Sequence, residues 1–162
     1  MARKDLIEGK RILIVDDEPD ILETLEGLLT NAKITRAGTF EEAKTLLETK
    51  RFDIAILDIM GINGYELLKI ANGKNVKAVM LTAHALSPEA TIKSHKEGAA
   101  LYVPKDRMAD IVTYLEDVFE AERKGKSTWW LWIDRFADYY DEKFEKDWQF
   151  KDRDFWKGFP YA

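Results

Sequence analysis

The residues of this sequence best suited to chemistry are three carboxylates that end apolar runs. Asp16 and Asp17 follow Ile12-Leu13-Ile14-Val15, and Asp58 closes Asp53-Ile54-Ala55-Ile56-Leu57 just before a turn that starts at Gly61 and ends at Gly64. Runs this short and apolar predict strands buried on both faces of a parallel sheet. Such sheets bind ligands beyond the carboxyl ends of their strands, where the strand order reverses. Clustered carboxylates repel, so a site holding Asp16, Asp17 and Asp58 is expected to recruit a hard divalent cation. Mg2+ is the natural choice, because it takes oxygen ligands and bridges to phosphate. Thr82 ends a further apolar run, Val76 to Leu81, and Lys105 follows another, Leu101 to Val103. Together a metal, an ammonium and a hydroxyl would neutralise three phosphoryl oxygens while a carboxylate serves as nucleophile.

The elements that must position these groups alternate along the chain. A strand over residues 11 to 15 leads to a helix opened by Pro19 and running to about Thr30, with Ile21, Leu22, Leu25, Leu28 and Leu29 at three-and-four spacing. A short strand from Ile34 to Ala37 follows, and Thr39 with Glu42 forms a capping box for a second helix. After the Asp58 strand comes a short helix from Tyr65 to Ala71, ended by Asn72-Gly73. Ser87 and Pro88 open a fourth helix that Gly98 closes, and a fifth helix runs from about Arg107 to Lys124. Five strands alternating with five helices predict a doubly wound parallel sheet with right-handed crossovers.

At these residues the chain resembles the receiver domain of two-component response regulators. The likeness covers about residues 10 to 124 and rests on five stretches in the family's order: Ile14-Val15-Asp16-Asp17-Glu18-Pro19, Leu57-Asp58, Leu81-Thr82-Ala83, Gly98-Ala99, and Tyr102 through Lys105. It implies a CheY-like, flavodoxin-like sheet of order 2-1-3-4-5. It implies that Asp58 accepts a phosphoryl group from a sensor histidine kinase, and that Mg2+ is bound by Asp17, Asp58 and the backbone carbonyl of Met60, with Asp16 helping through water. By the same likeness Lys105 pairs with phosphoryl oxygens, Thr82 moves to meet them, and Tyr102 turns inward as the switch aromatic. Read from the residues alone, Tyr102 is equally a core aromatic.

Two positions depart from the family pattern. The loop after Asp58 is about two residues shorter than usual and lacks its proline, and Asp106 stands after Lys105 where the family carries a proline with a cis bond. A non-proline cis bond costs about 3 kcal/mol, so a trans bond and a shifted lysine are expected. Met60 and His84 occupy positions where the family tunes attack of water on the acyl phosphate, and the apolar Met60 predicts slow dephosphorylation. The departures keep open a second reading, a non-phosphorylated receiver serving as a constitutive docking module. A phosphatase of the haloacid type, which also uses an aspartate nucleophile, wants a second aspartate where Met60 stands.

The remaining composition narrows the class. With 162 residues, 46% hydrophobic and 34% charged, the chain suits one globular domain with an appendage. The absence of cysteine excludes disulfides and thiol chemistry. A net charge of -5 disfavours nucleic-acid partners. No run approaches the roughly 18 apolar residues of a membrane span, so no stable membrane insertion and a cytoplasmic address are expected.

The receiver is expected over residues 1 to 124 and an aromatic helical extension, not a DNA-binding domain, over 125 to 162. Thirteen of the nineteen aromatic residues lie after Lys126. Trp129, Trp132, Ile133, Phe136, Tyr140 and Phe144 recur at helical spacing, so residues 128 to about 147 are expected to form a helix with an aromatic stripe. That stripe either packs back on the receiver or serves a downstream protein or a homodimer as an interface; a membrane-surface helix ranks last.

Overall fold

Every residue of the Ile54–Asp58 strand is buried, as its unbroken apolar composition predicts, and this strand is the centre of the sheet. The computed structural model describes residues 6–59, 61–83 and 88–127. In chain order the elements are β1 (Arg11–Val15), α1 (Pro19–Leu28), β2 (Lys33–Ala37), α2 (Phe40–Thr49), β3 (Ile54–Asp58), α3 (Gly64–Gly73), β4 (Lys77–Thr82), α4 (Pro88–Lys96), β5 (Leu101–Pro104) and α5 (Ile111–Lys124). The five strands are all parallel in the order β2-β1-β3-β4-β5. The expected architecture is therefore present, and the order reverses between β1 and β3.

Register decides which side chains meet. Val15 pairs with Leu57, so Asp16 and Asp58 emerge side by side at the switch point. Thr82 pairs with Pro104 on the adjacent β5, which places Lys105 one residue beyond the level of Thr82.

Local chemistry sets the helix boundaries. The Glu42 backbone N–H donates to Thr39 Oγ1 at 3.1 Å, and Glu42 Oε1 accepts from Thr39 Oγ1 at 3.3 Å and from the Gly38 N–H at 3.2 Å, so the capping box opens α2. Pro88 is the first residue of α4; its expected cap, Ser87, lies outside the described residues. Three boundaries differ from the sequence reading by two residues or more, and the first is that α3 runs on to Gly73, through the Asn72-Gly73 pair expected to end it. α1 stops at Leu28, two residues early, where Leu29 leaves helical geometry at φ -105°, ψ 47°. The fifth helix begins at Ile111 and not at Arg107, because Lys105–Asp110 forms a tight 3-10 turn that buries Met108.

Gly64 has no room for a side chain. A Cβ there would lie 2.3 Å from the carbonyl oxygen of Asp58 and 2.9 Å from the Cα of Ile59, because the first residue of α3 is built directly on the end of β3. Gly64→Ala is expected to destabilise the domain by about 2–3 kcal/mol in urea unfolding. Unchanged stability would show that α3 can shift away from β3 without cost.

α4 is tied to α3 at two places. The Tyr65 hydroxyl lies 3.2 Å from Ser94 Oγ with Lys93 Nζ 4.3 Å from the Tyr65 ring centre, and Asn72 Nδ2 donates to the Glu97 carbonyl at 2.8 Å. Among the described residues no helix is long and apolar enough to cross a membrane.

Candidate functional site

β1, β3 and β5 deliver their carboxyl-end residues to one point. Asp16 is fully buried, its Oδ1 accepts from the Glu18 backbone N–H at 2.9 Å, and its Oδ2 lies 2.9 Å from Lys105 Nζ. The same ammonium is 3.5 Å from Asp58 Oδ1 and 3.5 Å from Glu18 Oε1. Asp58 is 3% exposed, and its Oδ2 accepts from the Gly61 N–H at 3.3 Å. Asp17 reaches across the mouth of the site, and its carboxylate lies against Gly61, where an added Cβ would stand 2.5 Å from Asp17 Oδ2 and displace that side chain. Lys105 thus occupies the centre despite the Asp106 that follows it, and it sits nearer Asp16 than Asp58.

Thr82 is fully buried at the end of β4, beside Asp58, whose register partner is the preceding Leu81. Tyr102 is fully buried in β5 opposite Met80. Both make further interactions. Met60 and His84 lie outside the described residues, as do Trp129, Trp132, Phe136, Tyr140 and Phe144.

One residue went unassigned in the sequence reading. Carboxylate oxygens of Asp16, Asp17 and Glu18 all lie within 4.8 Å of one another, so the cluster that can hold a metal ion is three consecutive residues. Asp58 faces Lys105 and Gly61 beside it. The signal was present in the unbroken acidic run after β1, but only the turn held by the Asp16–Glu18 hydrogen bond brings Glu18 back over the site. An all-oxygen donor set, part buried and part exposed, fits a hard divalent cation that keeps some of its waters.

Burial is the main influence on Asp16 and raises its carboxyl above 3.8; Lys105 and the Glu18 N–H pull it down, and the charge of Asp58 pushes it up. Lys105 is held above 10.5: burial acts to lower it, but the hydrogen bond and charge of Asp16, then Asp58 and Glu18, outweigh that. For Asp16 the folded chain binds its proton more tightly than the unfolded chain. Ionisation therefore removes stability as pH rises from 3.8 through the raised folded value. Asp16→Asn is expected to raise the metal-free thermal midpoint at pH 7, with the gain vanishing at acid pH. A lower midpoint would mean that the Lys105 pair outweighs the burial cost.

Fold and site together define a doubly wound α/β protein with an acidic cluster and a buried lysine at the switch point. The chain belongs to the response regulator receiver domain family, whose profile matches residues 12–116. Members of this family are signalling proteins of two-component systems. The Arabidopsis thaliana "Two-component response regulator ARR18" is 33% identical over 103 residues, covering 60% of this chain and 16% of that protein. "Regulatory protein VanRB" of Enterococcus faecalis is 30% identical over 99 residues, covering 59% of this chain and 45% of its own length. The matched segment thus spans less than half of either relative. Among solved structures, a CheY-like receiver domain protein from Methanospirillum hungatei JF-1 is similar with TM-score 0.59 and 28% identity, covering 71% of this chain and 99% of that one. A putative response regulator from Chloroflexus aurantiacus J-10-fl matches at TM-score 0.62 and 29% identity, covering 70% and 99%.

Proposed function

We propose that this chain is a phosphorylation-controlled signalling protein in which Asp58 accepts a phosphoryl group from a sensor histidine kinase. The observation that carries this reading is Lys105 Nζ, held 2.9 Å from Asp16 and 3.5 Å from Asp58 at the carboxyl ends of β1 and β3. A chain that had abandoned phosphoryl chemistry would have no need to bury a lysine among carboxylates, since such burial costs several kcal/mol unless well compensated. In the reaction an Asp58 oxygen forms a bond to phosphorus while the P–N bond of the phosphohistidine breaks, and the imidazole leaves and regains a proton. The Gly61 N–H and Lys105 then face the new phosphoryl oxygens, and Thr82 supplies a hydroxyl. Mg2+, held by Asp17 and Asp58 with the Met60 carbonyl, and by Asp16 and Glu18 directly or through water, would screen the charge that otherwise opposes attack by a carboxylate.

Output runs through protein contacts of the aromatic extension, to a downstream protein or to a second copy. Phosphorylation biases the pairing of Thr82 and Tyr102 and so the surface of α4, β5 and α5. Residues after Gly125 carry eight acidic and seven basic side chains, which offer neither a nucleic-acid backbone nor anionic lipid net attraction. A cytoplasmic setting suits these roles.

The test is intact mass of the full chain incubated with Mg2+ and a small phosphoryl donor. Incorporation of one phosphoryl group that fails when Mg2+ is chelated beforehand supports the reading; no incorporation with donor or kinase overturns it and favours the constitutive docking module. The phosphorylated form is expected to be long-lived, with Met60→Asn shortening its lifetime about tenfold, equivalent to about 1.4 kcal/mol of barrier. An unchanged lifetime would remove Met60 from any role in excluding water.

A further inference from the structure

The end of the sheet opposite Asp58 carries a charge that the chain as a whole does not. Where β1, β3 and β4 begin and α2, α3 and α5 end, a depression of about 1150 Å3 opens to solvent. Of the chain's 25 basic and 30 acidic side chains, seven and three line it, which leaves eighteen against twenty-seven elsewhere. A net positive pole therefore sits on a net negative molecule. A second depression, of about 770 Å3, continues it past Val76 and Lys77 to Lys96 and Lys126, so the basic surface is elongated.

Arg11, Lys50, Arg51, Lys74 and Lys77 are all exposed, and among the described residues none of the five forms an ion pair. Helix dipoles account for part of this set, because Lys50 and Lys74 cap the C-termini of α2 and α3. They do not account for Arg11 and Lys77, which open strands, where the net dipole is small. Among these cations Phe52 is half-buried and offers an apolar contact, while the Phe119 ring is already met by Lys10 Nζ at 5.2 Å.

The chemistry of the pole selects its partner. A compact phosphate is ordinarily held by backbone N–H groups at a helix N-terminus or in a nest of successive amides. Here three helices end, so carbonyls and the negative ends of the dipoles face such a ligand. A long nucleic acid would run off the depression onto a surface of net negative charge. An extended acidic peptide, whose carboxylates are spaced along its backbone and reach cations on separate loops, meets neither objection.

We propose that this basic pole is a docking surface for an extended acidic segment of a partner protein. Its carboxylates pair with Lys50 and Arg51 after α2 and with Lys74 and Lys77 between α3 and β4, and an apolar side chain rests on Phe52. The phosphoacceptor stands at the other end of β3, a strand length of roughly 15 Å away. Docking therefore proceeds whether or not Asp58 is phosphorylated, and the proposal goes beyond the phosphoacceptor reading.

The probe is a fluorescently labelled synthetic peptide of about eight residues, glutamates flanking one phenylalanine, which extends to roughly 26 Å. Its anisotropy with the full chain in dilute buffer should give a Kd of about 10–100 μM that weakens as salt is raised. Lys50→Glu with Arg51→Glu, and separately Lys74→Glu with Lys77→Glu, should each weaken binding at least about tenfold. Lys44→Glu with Lys69→Glu makes the same change in net charge at exposed positions outside the depression, and should weaken it less than about twofold. Asp58→Asn should bind the peptide as the parent does. This pattern supports the proposal. It is overturned by the lack of saturable binding below about 1 mM, by equal losses from all three double variants, or by loss of binding in Asp58→Asn. Displacement by tripolyphosphate or a short single-stranded oligonucleotide at lower concentration than by unlabelled peptide would overturn it too, assigning the face to phosphate. No readout involves phosphoryl incorporation, so this proposal and the phosphoacceptor reading fail separately.

Discussion

Asp58→Asn is expected to reduce phosphoryl incorporation to background, a loss of at least about 10³-fold, while leaving the folded chain intact. Asparagine keeps the shape of the side chain and the oxygen that accepts from the Gly61 N–H, but its neutral amide is no nucleophile toward phosphorus. The buried site also loses one negative charge near Asp16, so metal-free stability should not fall. Intact mass with donor and Mg2+ reads the first effect and thermal unfolding the second. Full incorporation in the variant would place the acceptor elsewhere, and a collapse of folding would mean that Asp58 holds the sheet edge together through its charge.

Lys105→Ala should have the second largest effect, because it removes the cation shared by Asp16, Asp58 and Glu18. Its side chain is only 10% exposed and that of Asp16 fully buried, so the carboxylates would be left facing one another in a poorly solvated pocket. Breaking such a buried arrangement costs about 3 kcal/mol at pH 7. Added Mg2+ should restore part of it, and phosphoryl incorporation should still fall by about 10²-fold for want of a partner for the new oxygens. The pH dependence has a definite sign. Lys105 is held above 10.5, so its contribution in the parent chain is complete below 10.5 and is lost as pH rises through the folded value. The parent should therefore converge on the variant in strongly alkaline solution. A variant as stable as the parent at pH 7 would show that water reaches the carboxylates freely.

A non-proline residue after Lys105 predicts a trans bond and a shifted lysine; the ammonium lies among three acidic partners and nearer Asp16 than Asp58. The tight turn over Lys105–Asp110 redirects the chain before α5 begins. The same turn explains why the start of that helix was misplaced by four residues: helical spacing begins in the sequence before the backbone adopts it.

The sequence by itself determined the alternation of strands and helices, the burial of β1, β3, β4 and β5, and the convergence of Asp16, Asp58 and Lys105, with Asp17 and Thr82 at the ends of β1 and β4. These are consequences of short-range patterning, because a run of apolar β-branched residues has one stable environment and the residue after it must emerge at the sheet edge. Only the tertiary structure decided that Glu18 joins Asp16 and Asp17 in the acidic cluster, that Lys105 favours Asp16, that Gly64 rests against the Asp58 carbonyl, and that β5 is buried while β2 is largely exposed. Each of these depends on the register between strands distant in sequence and on how closely two loops approach. No local pattern of residue types encodes such distances.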